Sequence, residues 1–308
     1  MQPKKIHHDI VACYLYIISK YGYPPAAGDT LSHLEEFSGM GFSSIELEGI
    51  REEHLGQIYE MRELIRDKAM ALNLNIPVFC IVLPGLGSPD PNVREQNLEL
   101  FDKGCEIASI LGARAVLDNA PLPPWQFPEN IPVARHYDEA ILAGATLPPD
   151  LQWNDFWDGL TATYRVACQL AASRDLDFHL HPCLGALVAT TDAFLNFAEA
   201  VKHDALKFNM DTANQFFLKD NLILSLKRLE GHIDYIHLSD NRGHRVEHLV
   251  PGEGSIHWES FFETLDKIGY RGLLGIDVGG AESDVADYDN AYRNAAGWIF
   301  EKWFKKQS

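Results

Sequence analysis

Short runs of apolar residues recur along the chain and are separated by longer amphipathic stretches. Eight runs stand out: Ile10–Ile17, Ser44–Leu47, Ile76–Leu83, Ala113–Leu117, Leu176–Leu180, Leu206–Met210, Ile233–Leu238 and Leu273–Val278. They are short and show little alternation with polar residues. This pattern predicts strands that are buried on both faces, as parallel strands covered by helices are.

The stretches between these runs carry apolar residues three and four positions apart, which is typical of amphipathic helices. Clear examples span 160–172, 191–201 and 258–268, with Thr191 as the expected cap of the second and Gly269 as the stop of the third. The stretch 284–304 is predicted to form the last helix. Strand and helix thus alternate about eight times, which predicts one (β/α)8 barrel domain over residues 1–308. A doubly wound open sheet is the alternative, disfavoured because no glycine-rich phosphate loop follows the first strand.

Residues 119–157 depart from this repeat. The segment is rich in proline, carries Trp125, Trp153 and Trp157, and follows the fourth predicted strand. Loops after barrel strands lie on the face where active sites form. We therefore expect a long insertion that acts as a lid or a substrate wall, with a surface loop or a subunit contact as the alternative.

Composition narrows the class of protein. Twenty-six basic and 44 acidic side chains give a formal charge of −18, which argues against binding along nucleic acid or an anionic membrane. The five cysteines are scattered and form no Cys-x-x-Cys pair, as expected of reduced thiols in a cytoplasmic protein. No signal peptide is visible, and no apolar run is long enough to span a membrane.

Ligand-type side chains stand at the ends of the predicted strands. Buried strands should not finish in His and Asp without pairing or ligation, because desolvation of these groups is costly. In a barrel, the carboxyl ends of all strands converge on one site, and two imidazoles with two carboxylates suit a divalent transition metal ion. The residues concerned are Glu46, Glu48, Asp118, His179, His181, Asp211, His237, Asp240 and Asp277.

Several sequence fragments together resemble the xylose-isomerase-like barrels, which include sugar epimerases and isomerases, inosose dehydratase and endonuclease IV. The fragments are GFSSIEL (41–47), FHLHPCLGALVATTDAFLNF (178–197), FNMDTAN (208–214), IHLSDN (236–241), PGEGSIHWESFFETLDKIGYRG (251–272) and GIDV (275–278). The resemblance covers most of the chain and is strongest from Leu176 onward. It implies the same barrel fold and one bound divalent metal ion, with Mn²⁺ expected first and Co²⁺, Fe²⁺, Ni²⁺, Zn²⁺ or Mg²⁺ as alternatives.

The resemblance also implies a ligand set. The family usually supplies Glu, Asp, His and Glu from strands five to eight, and Asp211 and His237 match the second and third positions. His179 is the expected first ligand, with His181 as the alternative. Asp277 is the expected fourth ligand, one methylene shorter than glutamate.

These departures bear on the reaction that the resemblance implies. The family's epimerases use their two ligating glutamates as acid and base next to a polarised carbonyl, so an isomerase or epimerase acting on a ketose or keto-sugar is expected. A ligated imidazole is a poor base, which makes a lyase or dehydratase that eliminates a β-substituent the alternative. Candidate catalytic residues are His181, Asp277 and Glu48. Candidate substrate-binding residues are Glu46, Asp240, Arg245 and Trp125.

Two further classes stay open. One is a non-catalytic barrel, such as a subunit of a larger complex. The other is a DNA-repair enzyme like endonuclease IV, against which the −18 charge argues. A homo-oligomer, either dimer or tetramer, is expected only by analogy with related barrels.

Overall fold

Parallel strands arranged as a barrel form the centre of the molecule. The computed structural model describes residues 5–127 and 139–306. Its strands are β1 (Ile10–Ala12), β2 (Ser44–Ile50), β3 (Asn75–Val82), β4 (Ala115–Asn119), β5 (Asp177–His181), β6 (Leu206–Phe208), β7 (Met210–Asp211), β8 (Tyr235–Leu238) and β9 (Leu273–Ile276). All pairings between these strands are parallel, which confirms the predicted TIM barrel.

The ring of strands closes through the segment 206–211. The hydrogen-bonded order runs from β6 through β5 to β1 and then through β9 and β8 to β7. Only Asn209 separates β6 from β7, so these two short strands together occupy the sixth position of an eight-position barrel. The Asn209 amide donates to the carbonyl of Leu180 at 2.9 Å, and its side chain donates to the carbonyl of Tyr235 at 3.2 Å. This residue therefore joins the two neighbouring strands across the interruption.

Helices surround the barrel. They are α1 (Leu15–Tyr21), α2 (Thr30–Met40), α3 (Arg51–Leu72), α4 (Pro91–Leu111), α5 (Glu139–Ala143), α6 (Trp153–Ala172), α7 (Thr191–Val201), α8 (Thr212–Phe217), α9 (Leu222–Arg228), α10 (Trp258–Lys267) and α11 (Tyr288–Lys302). The predicted helices at 160–172, 191–201, 258–268 and 284–304 are all present. Thr190, not Thr191, caps α7, because its hydroxyl accepts from the amide of Ala193. None of the described helices combines the length and the apolar character that crossing a membrane requires.

The first predicted strand is too long. It ends at Ala12, and α1 begins three residues later, although Leu15, Tyr16 and Ile17 are buried as fully as the strand itself. A short apolar run looks the same in a buried strand and in a buried helix turn, so the pattern of apolar residues could not locate this boundary.

The insertion after β4 is shorter than predicted. Strand β4 ends at Asn119 and α6 begins at Trp153, so Trp153 and Trp157 belong to a helix of the outer layer. Their rings stack on each other, with centroids 5.8 Å apart, and Trp157 packs edge-on against Phe197 of α7. Trp125 remains in the loop after β4. Residues 128–138 of the predicted lid lie outside the described residues, and the lid role stays a prediction.

Candidate metal centre

Four ligand-type side chains meet at the carboxyl ends of the strands. They are His181 at the end of β5, Asp211 at the end of β7, His237 in β8 and Asp277 directly after β9, and together they are called the upper cluster below. All four residues are at most 1% exposed. One ligand atom from each lies within 4.8 Å of the others. Four buried N and O donors so close together form a set that suits a borderline divalent ion.

Glu46 sets the orientation of His237 from beneath the cluster. Its Oε2 lies 3.1 Å from His237 Nε2 and accepts the Tyr235 hydroxyl at 2.9 Å. The imidazole therefore donates through Nε2, so Nδ1 is the nitrogen at which a second proton or a metal ion would bind. Nδ1 has no hydrogen-bond partner among the described residues and lies 3.8 Å from Asp277 Oδ2. A buried ring nitrogen this close to a carboxylate is suited to bind a metal ion together with it.

Glu46 was predicted to bind substrate, but its carboxylate is occupied within the barrel. In addition to the contacts of Oε2, Oε1 accepts the amide of Tyr14 at 3.2 Å, and the residue is 2% exposed. Gly275 leaves room for this arrangement, because a Cβ there would lie only 2.7 Å from the Tyr235 hydroxyl oxygen. The structure therefore gives Glu46 a supporting contact to His237.

Asp211 is held rigidly at the start of a helix. Its Oδ1 accepts the amide of Asn214 at 2.7 Å and so caps α8, while Oδ2 lies 3.0 Å from His181 Nε2. Burial raises the pKa of this carboxyl, but the His181 hydrogen bond and the charges of His248 and His181 outweigh it and hold the pKa below its usual value. Asp211 is therefore an anion, as a metal ligand must be.

The pKa of His237 moves in the opposite direction. Burial lowers it, whereas the negative groups around the ring, Glu46 and Asp277 among them, raise it well above the usual value. The carboxylates around the ring thus favour a positive charge at this position. A proton and a metal ion would compete for it.

His179 lies outside the upper cluster, which corrects the predicted first ligand. His179 and His181 face the same side of β5, but they are two residues apart, or about 6.6 Å along a strand. His179 Nε2 instead lies 2.8 Å from Oδ1 of Asp234, the residue preceding β8. Asp177, His179 and Asp234 form a second group near the amino ends of the strands, called the lower cluster below. His181, the alternative first ligand, completes the upper cluster.

Asp240 was also predicted to face the substrate, and the structure places it elsewhere. It is fully buried, and its Oδ2 accepts the amide of Gly252 at 2.8 Å and the indole N–H of Trp258 at 2.7 Å. Its Oδ1 accepts the amides of Asn241 and Ile256. A Cβ at Gly254 would lie 2.2 Å from this carboxylate, which explains the glycine. Asp240 therefore organises the turn 251–256.

The other two predicted substrate contacts differ in position. Arg245 is exposed and pairs with Asp284, with 2.7 Å between Nη2 and Oδ2, so it lies at the surface. Trp125 is half-buried near Gly185, on the loop side of the barrel. Of these two residues, only Trp125 stays a candidate wall of the site.

Glu48 and a neighbouring pocket complete this face of the barrel. Glu48 is 7% exposed and lies two residues beyond Glu46 on the same face of β2. The pocket reaches Cys183, whose Sγ lies 3.9 Å from His181 Nδ1. Burial holds the pKa of Asp118, one of its walls, well above the usual value. Its lining residues are Tyr23, Arg51, Val82, Leu83, Pro84, Asp118, Asn119, Ala120, Pro121, Leu122, Tyr164 and Cys183.

His248 is the residue of this site that the sequence did not single out. It is fully buried, and its Nδ1 lies 3.2 Å from Asp277 Oδ2. In the sequence it stood only as one of two histidines flanking Arg245, in a loop without periodicity. Its burial in a polar loop next to a strand-end carboxylate becomes visible only after folding.

A family model described as "Xylose isomerase-like TIM barrel" matches residues 34–302. The chain belongs to this family. The match spans the strands from β2 to β9 and thus every member of the upper cluster.

Several of the similar proteins are sugar epimerases by name. L-ribulose-5-phosphate 3-epimerase UlaE of Shigella boydii is 23% identical over 82% of this chain and 84% of its own length. D-allulose 3-epimerase of a Methylomonas species superposes with a TM-score of 0.73 at 17% identity, covering 98% of both chains. 3-Keto-D-glucoside 4-epimerase YcjR of Escherichia coli superposes with a TM-score of 0.72 at 17% identity, covering 96% of this chain and all of that one.

Proposed function

We propose that this xylose isomerase-like barrel is a divalent-metal-dependent sugar epimerase. The observation that carries the proposal is the upper cluster: four buried donors from four barrel positions whose ligand atoms lie within 4.8 Å of one another. The names of the similar proteins support an epimerase that acts on a ketose or keto-sugar. Mn²⁺ is the proposed ion, and the other divalent transition metals are alternatives.

His181, Asp211, His237 and Asp277 would hold the ion. A divalent ion at this position supplies Lewis acidity, which polarises a substrate carbonyl and so acidifies the neighbouring C–H bond. Support for the fit comes from His237, because Nε2 donates a hydrogen bond to Glu46 and Nδ1 would be the ligand atom. Support also comes from Asp211, whose low pKa keeps it ionised.

The proton transfers fall to carboxylates of this chain. An epimerase removes a proton from one face of a carbon and returns a proton to the other face, so it needs two carriers. Asp277 is the proposed first carrier, because both carboxylate oxygens of Asp211 already contact Asn214 and His181. Glu48 and His181 are the candidates for the second. Glu48 keeps its carboxyl outside the four-residue set, whereas His181 Nε2 points at Asp211.

The pocket beside the cluster is the proposed place for the rest of the substrate. It begins at Cys183, next to His181, and its walls are largely apolar apart from Tyr23, Arg51, Asp118 and Asn119. A ring or chain of a sugar carries both apolar C–H faces and hydroxyl groups, which such a wall can accommodate.

Elemental analysis followed by reactions in D₂O tests the proposal. We expect about one divalent ion per chain in the upper cluster. Incubation with L-ribulose 5-phosphate, D-allulose and a 3-keto-glucoside should incorporate deuterium next to the carbonyl of at least one, with inversion and no loss of a group. A protein that binds Mn²⁺ and Co²⁺ but exchanges no proton on any of them would contradict an epimerase.

A lyase is the second candidate, and His181 is the observation that favours it. The upper cluster contains two carboxylates and two imidazoles, and a ligated imidazole is a poor second carrier for symmetric epimerisation. Elimination of a β-substituent needs a base on one face only. Release of water or of an aglycone in the same D₂O experiment, in place of inversion, would establish this alternative.

A further inference from the structure

We propose that His248 is a positioning residue of the metal centre, which holds Asp277 in place for the ion. The inference rests on the proposed function, because it assigns a role relative to the upper cluster. His248 lies in the loop that follows β8, eleven residues after His237 in the printed sequence. It contributes no ligand atom to the set of four.

One ring nitrogen of His248 connects the ends of two barrel strands. Nδ1 lies 3.1 Å from the carbonyl oxygen of Asp277 and 3.0 Å from the hydroxyl of Ser239. A carbonyl oxygen only accepts, so Nδ1 carries the proton and donates it. The same nitrogen lies 3.2 Å from Asp277 Oδ2. A single N–H group therefore faces both the main chain and the carboxylate of a proposed ligand.

The backbone at His248 is held in an unfavourable conformation. Its φ of 44° lies in the left-handed region, which only a few per cent of non-glycine residues adopt, with asparagine, aspartate and histidine the most frequent among them. Asn73 and Lys202 have similar angles at helix C-caps, where this conformation is ordinary. His248 adopts it within a loop while burying its side chain completely. Strain of this kind persists where the surrounding contacts over-determine the conformation, which is common at functional sites.

Asp277 needs such support because the glycines that follow it give the main chain conformational freedom. Gly279 and Gly280 both have positive φ angles, 115° and 93°. Two glycines so close to a ligand leave its main chain free to turn in the absence of other contacts. The Gly279 amide donates to the carbonyl of His248 at 3.0 Å, so the same residue also fixes this turn.

Substitutions of His248 by Gln and by Asn test the role, with His244→Gln as the matched control. His244 is an exposed histidine of the same loop. The probe is Co²⁺, with its dissociation constant measured by competition with a chelator and its ligand geometry by visible absorption. Loss of an outer-shell contact costs about 10- to 100-fold in metal affinity. We expect this loss and an altered Co²⁺ spectrum for H248Q, and neither for H244Q.

H248N should restore most of the affinity, because its amide nitrogen takes the position of Nδ1, while the amide of Gln reaches the position of Nε2. Asparagine also tolerates the left-handed backbone, so this variant should fold even if H248Q does not. Wild-type Co²⁺ affinity and spectra in both H248Q and H248A would overturn the proposal. A lower Tm of these variants without a change in Co²⁺ binding would show only a structural role. A wild-type chain that binds no Co²⁺ would overturn the proposed metal centre and this inference with it.

Discussion

The upper and lower clusters use the same residue types in the same barrel and differ in almost everything else. The upper cluster draws its four residues from four barrel positions, all nearly inaccessible to solvent. The lower cluster draws two residues from β5 and one from the residue before β8, and the Asp234 side chain is 39% exposed. His179, Lys207 and Arg114 all act to lower the pKa values of the Asp177 and Asp234 carboxyls, whereas the groups that lower the pKa of Asp211 are histidines.

The difference indicates that the same residue types, His and Asp, have two roles in this barrel. In the lower cluster, an arginine and a lysine act on the carboxyls together with His179, so we interpret it as a structural ion-pair group. In the upper cluster the balancing groups are imidazoles, which can exchange a proton for a metal ion. Depth along the strand therefore decides what a histidine or an aspartate does.

The largest effect is expected when one aspartate of each cluster is replaced and the two variants are compared. Asp211→Asn should lose bound metal and lower activity by at least about 1,000-fold, because it removes a charged ligand. Asp234→Asn, the matched change in the lower cluster, should keep the metal content of wild type. Elemental analysis after dialysis measures both. Full metal loading in Asp211→Asn would show that the centre lies elsewhere.

The next test compares two histidines on one strand. His181→Gln should weaken metal binding by about 100-fold or more, since it removes a ligand, whereas His179→Gln should leave metal affinity within about threefold of wild type. His179 is 1% exposed, so its replacement should lower Tm instead. Isothermal titration with Mn²⁺ and a thermal melt of the apo forms supply the two readouts. The opposite order of affinities would restore His179 as the first ligand.

A smaller effect is expected for the contact below the upper cluster. Glu46→Gln should reduce metal affinity by about 10- to 100-fold, because His237 loses the carboxylate that fixes its tautomer. Tyr235→Phe, which removes another donor to the same oxygen and leaves His237 intact, should have a weaker effect. Titration of both variants with Mn²⁺ measures the difference. If Tyr235→Phe proves the more damaging change, Glu46 acts by packing and not through the imidazole.

The smallest effect concerns the pH dependence of the lower cluster. Burial raises the pKa of Asp234, but His179 and the nearby cations lower it to about 2, below the usual 3.8. The stabilisation is therefore complete above pH 3.8 and is lost as the pH falls toward 2. Because the side chain is partly exposed, we expect only about 1 kcal/mol or less.

Denaturant unfolding of wild type and Asp234→Asn between pH 6 and pH 3 checks this sign. The difference in free energy of unfolding should be largest at pH 6 and should shrink toward pH 3. A difference that grows on acidification would mean that His179 is not the partner that stabilises the Asp234 carboxylate.

The barrel could be predicted from the sequence because strands buried on both faces appear as short apolar runs with little alternation. Seven of the eight apolar runs match strands within a few residues, and the stop at Gly269 has the positive φ expected of a helix end. The remaining run, Ile10–Ile17, was predicted as one strand, but the strand ends at Ala12. A strand and a buried helix turn use the same residue types there. The candidate ligands Asp211, His237 and Asp277 also came from the sequence, since strand ends in a parallel barrel must converge.

At the site, the structure differs from the predictions in how far along the barrel a side chain lies and in which groups it contacts. His179 was expected as first ligand from the resemblance to the family, whereas His181, at the end of β5, is the residue that reaches the upper cluster. Asp240 follows β8 closely, as Asp277 follows β9, yet its carboxylate accepts four donors from the 241–258 region and leaves no surface for a substrate. Nothing in a linear pattern distinguishes a carboxylate that is already saturated from one that is not.

By itself, the sequence determined the order of strands and helices, the face on which ligand-type residues gather and the acidic net charge. Each of these depends on local pattern or composition. Only the tertiary structure decided which of His179 and His181 joins the cluster, that Glu46 supports His237 and that His248 lies against Asp277. These depend on contacts of a few ångströms between residues far apart in the chain, and such distances are set by how the strands align around the barrel.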